Sequence, residues 1–392
     1  MNPLERNDAL ALLADSDLVI DEELCLNLRG RIEFCSACAD QCHRDALELT
    51  TDAVTLLTER CTGCGGCVPA CPAGVMRLTG FSPVRFLASA QGLEPLHLHC
   101  GESRDGGGGV VIPCFKLLDA RLVAALAGEG GKEILLHGMA QCGPCPRGDA
   151  RPVLAGLEAR LEAWFGDRAP VVAEAAAGSG GAAGERKRED QPHMDRRHFL
   201  RLLGAKATAG ATAWFCPAAD SAEQEADLLP FFQADGQPRR PVIYQGVLAG
   251  RVERLPWRQD RSLPWRQDRS LPWRSRTIGE GCSACLVCAE RCPTGALQAR
   301  EQGPDREIGF DVSLCTDCGL CQRLCPEDAV VTGPVPDAQA LQRGRERLMH
   351  RRASPCRGCG QPFLAEGDHG DLCPVCRNEQ DLDDEWLAML EG

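Results

Sequence analysis

Cysteine is the residue whose abundance and spacing could do chemistry here. There are 25 in 392 residues, most of them in C-x2-C runs. Thiols that close together cannot bridge without strain, but they can converge on a soft metal. The odd count argues against a simple disulfide framework, and thiols kept as ligands imply a reducing compartment. The chemistry to expect is thiolate ligation, with the cysteines acting as ligands and not as nucleophiles.

Three runs share one pattern: Cys61-x2-Cys64-x2-Cys67-x3-Cys71-Pro72, Cys282-x2-Cys285-x2-Cys288-x3-Cys292-Pro293 and Cys315-x2-Cys318-x2-Cys321-x3-Cys325-Pro326. In such a run the first three cysteines wrap one iron–sulfur cubane from a tight loop, and the fourth reaches a second cubane. Proline after it suits a first helical position, where no amide donor is needed. Gly63, Gly65, Gly66 and Gly319 sit between ligands, where the backbone must approach inorganic sulfide closely. The runs stay alike beyond the cysteines, as Pro72-Ala73-Gly74-Val75, Pro293-Thr294-Gly295-Ala296 and Pro326-Glu327-Asp328-Ala329.

A fourth segment, Cys35-x2-Cys38-x3-Cys42, departs from the rule. Ile32 stands where the first cysteine belongs and His43 where proline belongs. Cys25, separated from Cys35 by nine residues, can fill the place by a longer loop. The alternative is an ordinary buried thiol at Cys25, beside a [3Fe–4S] cluster or none. All four segments resemble the bacterial dicluster ferredoxin family, over roughly a third of the chain. That resemblance implies four [4Fe–4S] clusters with swapped fourth ligands. The sets are Cys25, Cys35, Cys38 and Cys71; Cys61, Cys64, Cys67 and Cys42; Cys282, Cys285, Cys288 and Cys325; and Cys315, Cys318, Cys321 and Cys292.

Between the modules, Cys100, Cys114, Cys142 and Cys145 form another group. Leu96–Cys100, Val110–Cys114 and Ile134–His137 read as strands, and Leu117–Ala127 and Val153–Phe165 as helices. The spacing resembles that of thioredoxin-like [2Fe–2S] ferredoxins and of small iron–sulfur subunits serving some hydrogenases. A redox dithiol, a zinc site using His97, His99 or His137, and free thiols remain open. In the tail, Cys356-x2-Cys359 and Cys373-x2-Cys376 lie thirteen residues apart, a zinc-ribbon signature whose metal must supply much of the folding energy. Rubredoxin-type iron fits less well, because only Phe363 is at hand to pack between the knuckles.

These readings give an α+β chain in which two ferredoxin-like 2[4Fe–4S] modules flank a small α/β domain, with a zinc-ribbon-like tail. The expected boundaries are 1–92, 93–174, a linker over 175–274, 275–336 and 350–392. The linker carries Met194-Asp195-Arg196-Arg197-His198-Phe199-Leu200-Arg201, which resembles a twin-arginine export motif. Within it, Leu255–Ser262 recurs as Leu263–Ser270, with a third start at Leu271-Pro272-Trp273. A local duplication in an extended segment accounts for the repeat. The twin-arginine stretch reads as a remnant of gene fusion, a basic amphipathic helix, or the start of an exported form. Residues 195–325 resemble, in their order of arginine pair, Pro-Trp element and cysteine runs, the cytoplasmic accessory proteins of periplasmic nitrate reductase.

The formal net charge of −13, deepened by thiolate-bound clusters, disfavours nucleic acid and favours a basic patch on a redox partner. The acidic first twenty residues are unlike a signal peptide, and no apolar run is long enough to span a membrane, so a cytoplasmic location is expected. Neither a G-x-G-x-x-G nor a G-x4-G-K-[ST] loop is present, so a catalytic subunit is not expected. The leading expectation is a polyferredoxin relaying electrons between redox protein partners such as a dehydrogenase or molybdoenzyme. The rival is a maturation factor for a molybdoenzyme such as nitrate reductase or formate dehydrogenase.

Overall fold

The structure is a computed structural model, and it describes residues 18–105, 107–127, 133–176, 186–188, 231–232, 238–252, 255, 272–336, 339–364 and 371–391. The twin-arginine-like stretch, Cys216 and residues 256–271 of the repeat lie outside them. The chain forms two compact units, one covering residues 1–232 and 238–272, the other 233–237 and 273–392. Among the described residues, no helix is long and apolar enough to cross a membrane.

The first unit opens with four short strands: β1 (Leu18–Ile20), β2 (Leu47–Leu49), β3 (Val54–Leu56) and β4 (Met76–Leu78). β1 pairs antiparallel with β4, and β2 with β3, so an inner hairpin sits between a pair of outer strands. Helices of four or five residues, α1 (Leu26–Gly30), α2 (Ala37–Asp40) and α3 (Cys67–Ala70), carry the cysteines between the strands. Elements this short cannot stand alone, so buried Leu18, Leu47, Val54, Val68 and Met76 must be closed over a shared centre.

Next comes a parallel sheet. Its strands are β5 (Leu96–Cys100), β6 (Gly109–Ile112), β7 (Glu133–His137), β8 (Val171–Glu174) and β9 (Arg186–Arg188), in the order β8-β7-β5-β6-β9. Leu96, Leu98, Ile112 and Ile134 are fully buried, as expected for parallel strands covered by helices. The expected strand over Val110–Cys114 ends earlier, at Ile112, because Pro113 cannot donate to a ladder. The helix expected from Leu117 starts at Ala120, where Asp119 accepts the Leu122 amide at 3.0 Å. The covering helices include α4 (Pro83–Ala90), α5 (Ala120–Ala127) and α6 (Arg151–Phe165). The charged run expected to be linker supplies β9, which pairs with β6.

Part of the remaining linker also folds onto this unit. Strands β10 (Phe231–Phe232) and β11 (Pro238–Arg239) pair, and α7 (Ile243–Ala249) packs on α5 and α4. Tyr244, buried at 1% exposure, donates to the Leu117 carbonyl at 2.9 Å. Arg240 pairs with Asp21 at 2.6 Å, and Arg251 donates to the Ala125 carbonyl at 2.8 Å. Buried groups so paired are what a folded segment requires.

The second unit repeats the frame of the first. β12 (Arg276–Ile278) pairs antiparallel with β15 (Val330–Thr332), around the hairpin of β13 (Leu297–Gln302) and β14 (Asp305–Phe310). The short helices are α8 (Val287–Glu290) and α9 (Leu320–Arg323). Trp273, from the third start of the repeat, is buried at 2% exposure and donates to the Ser313 carbonyl at 3.1 Å. The tail shares this sheet. β16 (Glu346–Pro355) pairs with β14 along its first part and with β17 (Pro362–Leu364) at its end. The chain ends on a long acidic helix, α10 (Pro374–Glu391).

Candidate metal centres

The strands position the first cysteine of each loop at a short offset, four residues beyond Ile278 for Cys282 and five in the other three loops. Cys25, Cys61 and Cys315 each stand five residues beyond the last residue of a strand, namely Ile20, Leu56 and Phe310. The turns before Cys25 and Cys315 are the same, a single 3-10 turn over Glu22–Leu24 and over Val312–Leu314. In each, the cysteine amide closes the turn, Cys25 onto Glu22 at 2.8 Å and Cys315 onto Val312 at 3.1 Å. Cys25 therefore stands at the same offset from its strand as Cys61 and Cys315 do, and after the same turn as Cys315. The longer path to Cys35 is tied by Asn27, which accepts the amides of Phe34 and Cys35 at 3.0 and 2.8 Å and donates to the Cys35 carbonyl at 3.0 Å.

The loops after the fourth cysteines are also alike. Asp45, Gly74, Gly295 and Asp328, each three residues beyond Cys42, Cys71, Cys292 and Cys325, adopt positive φ between 47° and 71°. The bend aims the next amide back at sulfur. Ala46 donates to Cys42 at 3.3 Å, Val75 to Cys71 at 3.4 Å and Ala329 to Cys325 at 3.3 Å. After Cys292 the amide of Ala296 goes instead to the Thr294 hydroxyl at 3.3 Å, and that hydroxyl lies 3.6 Å from the sulfur. Cys42 thus keeps the loop geometry although His43 replaces proline. Amide bonds to sulfur lower the cost of the thiolate and tune cluster potentials.

Electrostatics group the thiols. Burial pushes Cys38 up to about 12, and repulsion from Cys71, Cys35 and Cys25 adds to it. Burial likewise raises Cys67, with repulsion from Cys64, Cys38, Cys61 and Cys42. Cys288 is pushed up to about 12 by burial and by Cys321, Cys282, Cys285 and Cys325. Cys318 is raised by burial and by Cys292, with Cys315 and Cys321 following. The cysteines of each predicted set lie close enough to repel one another, and each pair of sets is linked by one further repulsion, of Cys38 on Cys67 and of Cys321 on Cys288. Buried, mutually repelling thiols are costly as thiolates unless cationic iron compensates them, so the donor sets fit the cubane.

Sequence reasoning passed over one buried cation. Arg276, at 2% exposure, pairs with Asp317 and lies beside Cys321, whose thiolate it favours. Burial opposes its charge, but Cys315, Asp317 and Cys321 outweigh that and hold it protonated. A lone arginine on a strand gives no signal at the sequence level.

The tail is built more tightly. Among the described residues, the four sulfurs of Cys356, Cys359, Cys373 and Cys376 are a group within 4.8 Å of one another, and Cys359 lies 3.8 Å from Cys373. Ligand bonds of about 2.3 Å to a tetrahedral zinc place sulfurs about 3.8 Å apart, so this set fits a single ion. The amides of Cys373 and Gly358 donate to Cys356 at 3.2 and 3.3 Å and hold its thiol below the usual range.

On the sheet, Cys100 ends β5, Cys114 follows β6, and Cys142 and Cys145 follow β7, so all four gather at the carboxyl edge. Burial raises Cys100, and Cys142 and Cys145 both repel it. His97 and His137 hydrogen-bond each other at 2.8 Å, and His99 stacks on His137 with ring centroids 4.4 Å apart. The three imidazoles form a group of their own.

Two doubled sets of clustered thiols on a repeated strand frame define an iron–sulfur protein of the 4Fe-4S type. Residues 281–329 match the 4Fe-4S dicluster domain family, and residues 54–77 match the 4Fe-4S binding domain family. The chain is 30% identical over 80 residues to a ferredoxin of Alicyclobacillus acidocaldarius, covering 20% of this chain and 94% of that protein. It belongs to the ferredoxin family, and its chemistry is iron–sulfur electron transfer. It is also 29% identical over 90 residues to NADH-quinone oxidoreductase subunit I 2 of Streptomyces coelicolor, covering 18% of this chain and 46% of the relative. A third relative is a component of the ion-translocating oxidoreductase complex of Methanosarcina acetivorans, 36% identical over 50 residues, with 13% of this chain and 17% of the relative covered. The chain spans less than half the length of these last two.

Proposed function

We propose that the chain is a polyferredoxin that relays electrons between redox protein partners through four [4Fe–4S] clusters, two per module. The ligand sets are those expected from the sequence, with Cys25 completing the first. The observation that carries this reading is the shared offset of Cys25, Cys61 and Cys315 from their strands, which supplies a first ligand to the irregular segment. The nearness of Cys38 to Cys67 and of Cys321 to Cys288, close enough for mutual repulsion, supports exchange within each pair. The four tail thiols take a structural zinc. Net charge of −13 suits partners that present a basic surface.

The test is iron, sulfide and zinc per chain after anaerobic purification, with EPR of the reduced protein. About sixteen iron with one zinc supports the reading, and about eight, all lost on deletion of Cys282–Cys325, overturns it for the N-terminal module.

A further inference from the structure

Within the first unit, the sheet-edge cysteines and the N-terminal module meet at one junction. Burial pushes Cys114 up to about 11, and Cys64 and Cys100 both repel it. The two loops are clamped together. Arg147 donates to the Pro113 carbonyl at 3.0 Å and reaches the Gly63 carbonyl at 3.5 Å, one residue from each cysteine. Gly65 has positive φ and no room for a side chain, since a Cβ there would lie 2.5 Å from Leu117 Cδ2. Lys116, at 3% exposure, fills the space beside them, with Nζ 3.0 Å from the Arg147 carbonyl and 3.4 Å from His43 Nδ1. A buried ammonium is costly without negative charge nearby. Here Lys116 favours the charged form of Cys114, and its side chain packs beside Gly66 of the cluster loop.

We propose that Cys100, Cys114, Cys142 and Cys145 hold an iron centre in direct electronic contact with the cluster set of Cys61, Cys64, Cys67 and Cys42, across the two loops that Arg147 ties together. The first unit is then a three-centre chain with its exit at the carboxyl edge of the parallel sheet, where α/β sheets present their sites. The exchange moves one electron: one centre is oxidised by one, the other reduced by one. No bond breaks and no proton is transferred, and a low-potential one-electron donor supplies the charge. Lys116 is a positioning residue that favours the reduced state at the junction. This rests on the cubane reading of the N-terminal module.

The test uses the full chain, purified anaerobically and reduced stepwise. The expected result is about two iron beyond the cubane complement, and a cubane EPR signal split or relaxed faster by a neighbouring paramagnet. Cys145→Ser should remove the extra iron and the splitting while the cubane signals remain. Lys116→Met should keep the iron and shift the electron toward the cubane pair about tenfold. Zinc or no metal at the sheet edge, or cubane signals that do not change between the native chain and Cys145→Ser, overturns the proposal. Absence of cubane signals in the native chain overturns instead the function it rests on.

Discussion

Asn27 holds Cys35 by both sides of its backbone, accepting its amide at 2.8 Å and donating to its carbonyl at 3.0 Å. The nine-residue path from Cys25 to Cys35 is too long for a cluster loop unless something folds it back. Helix α1 and this side chain do so, with Asn27 itself 3% exposed. Asn27→Ala leaves three part-buried backbone groups, the amides of Phe34 and Cys35 and the Cys35 carbonyl, without their partner, a loss of about 1 kcal/mol each. Iron should fall from about sixteen toward about twelve per chain, with the second module untouched. Asn27→Asp, which keeps the acceptor, should lie between. Full iron in the alanine variant would mean that Cys35 finds its place without this tie.

The buried charge of Arg276 separates the two clusters of the second module. It lies beside Cys321 and Cys315, while Arg306, which donates to the Ala284 carbonyl in the other loop at 3.3 Å, is 42% exposed. Solvent screens the second charge and not the first. Arg276→Met should therefore lower the potential of the cluster held by Cys315, Cys318, Cys321 and Cys292, by about 59 mV for a tenfold change in a one-electron equilibrium. Arg276→Lys should recover most of it. Redox titration followed by EPR reads the shift, and equal potentials in all three proteins would refute the assignment.

Much of the site was legible because cubane loops are set by spacing, and spacing is local. The three regular runs needed no structure. The fourth was half legible, since Cys25 was identified only as the spare cysteine. Its offset from Ile20 became informative once Leu56 and Phe310 were known to end strands. Loop closure at Asp45 was hidden because aspartate replaces the glycine of Cys71-Pro72-Ala73-Gly74, although both residues tolerate positive φ. Less legible were contacts between segments distant in sequence. Tyr244 on Leu117, Arg240 on Asp21 and β16 on β14 depend on tertiary pairing, which leaves no periodic trace in a seven-residue helix or a single strand.

Zinc should hold the start of the last helix. Pro374 begins it one residue after Cys373, Cys376 lies in its first turn, and Arg377 donates to the Cys373 carbonyl at 2.9 Å. Cys359→Ser removes an exposed ligand with little change in shape. The variant should lose its zinc and the amide-exchange protection of Cys356–Gly360 and of the first turn of α10, with iron content unchanged. Retained protection without zinc would make the sheet pairing of β16 and β17 the sufficient support.

Tyr244 is the chain's one tyrosine, so its phenolate absorbance reports a single site. Burial, and then the nearby Asp119, hold its hydroxyl well above the ordinary value near 10. A raised acid contributes stability that is complete below its unfolded value and is lost as pH rises toward the folded one. Tyr244 should therefore contribute a fall in the melting temperature of the first unit that begins at about pH 10, with phenolate appearing only as the unit unfolds. Tyr244→Phe leaves the Leu117 carbonyl without its 2.9 Å donor and should cost about 1 kcal/mol at neutral pH. The same variant should flatten the alkaline slope, because no proton is left to lose at this position. An unchanged slope in the phenylalanine variant would assign the alkaline sensitivity to other groups, and phenolate absorbance in the native unit near pH 10 would show that the hydroxyl is open to solvent.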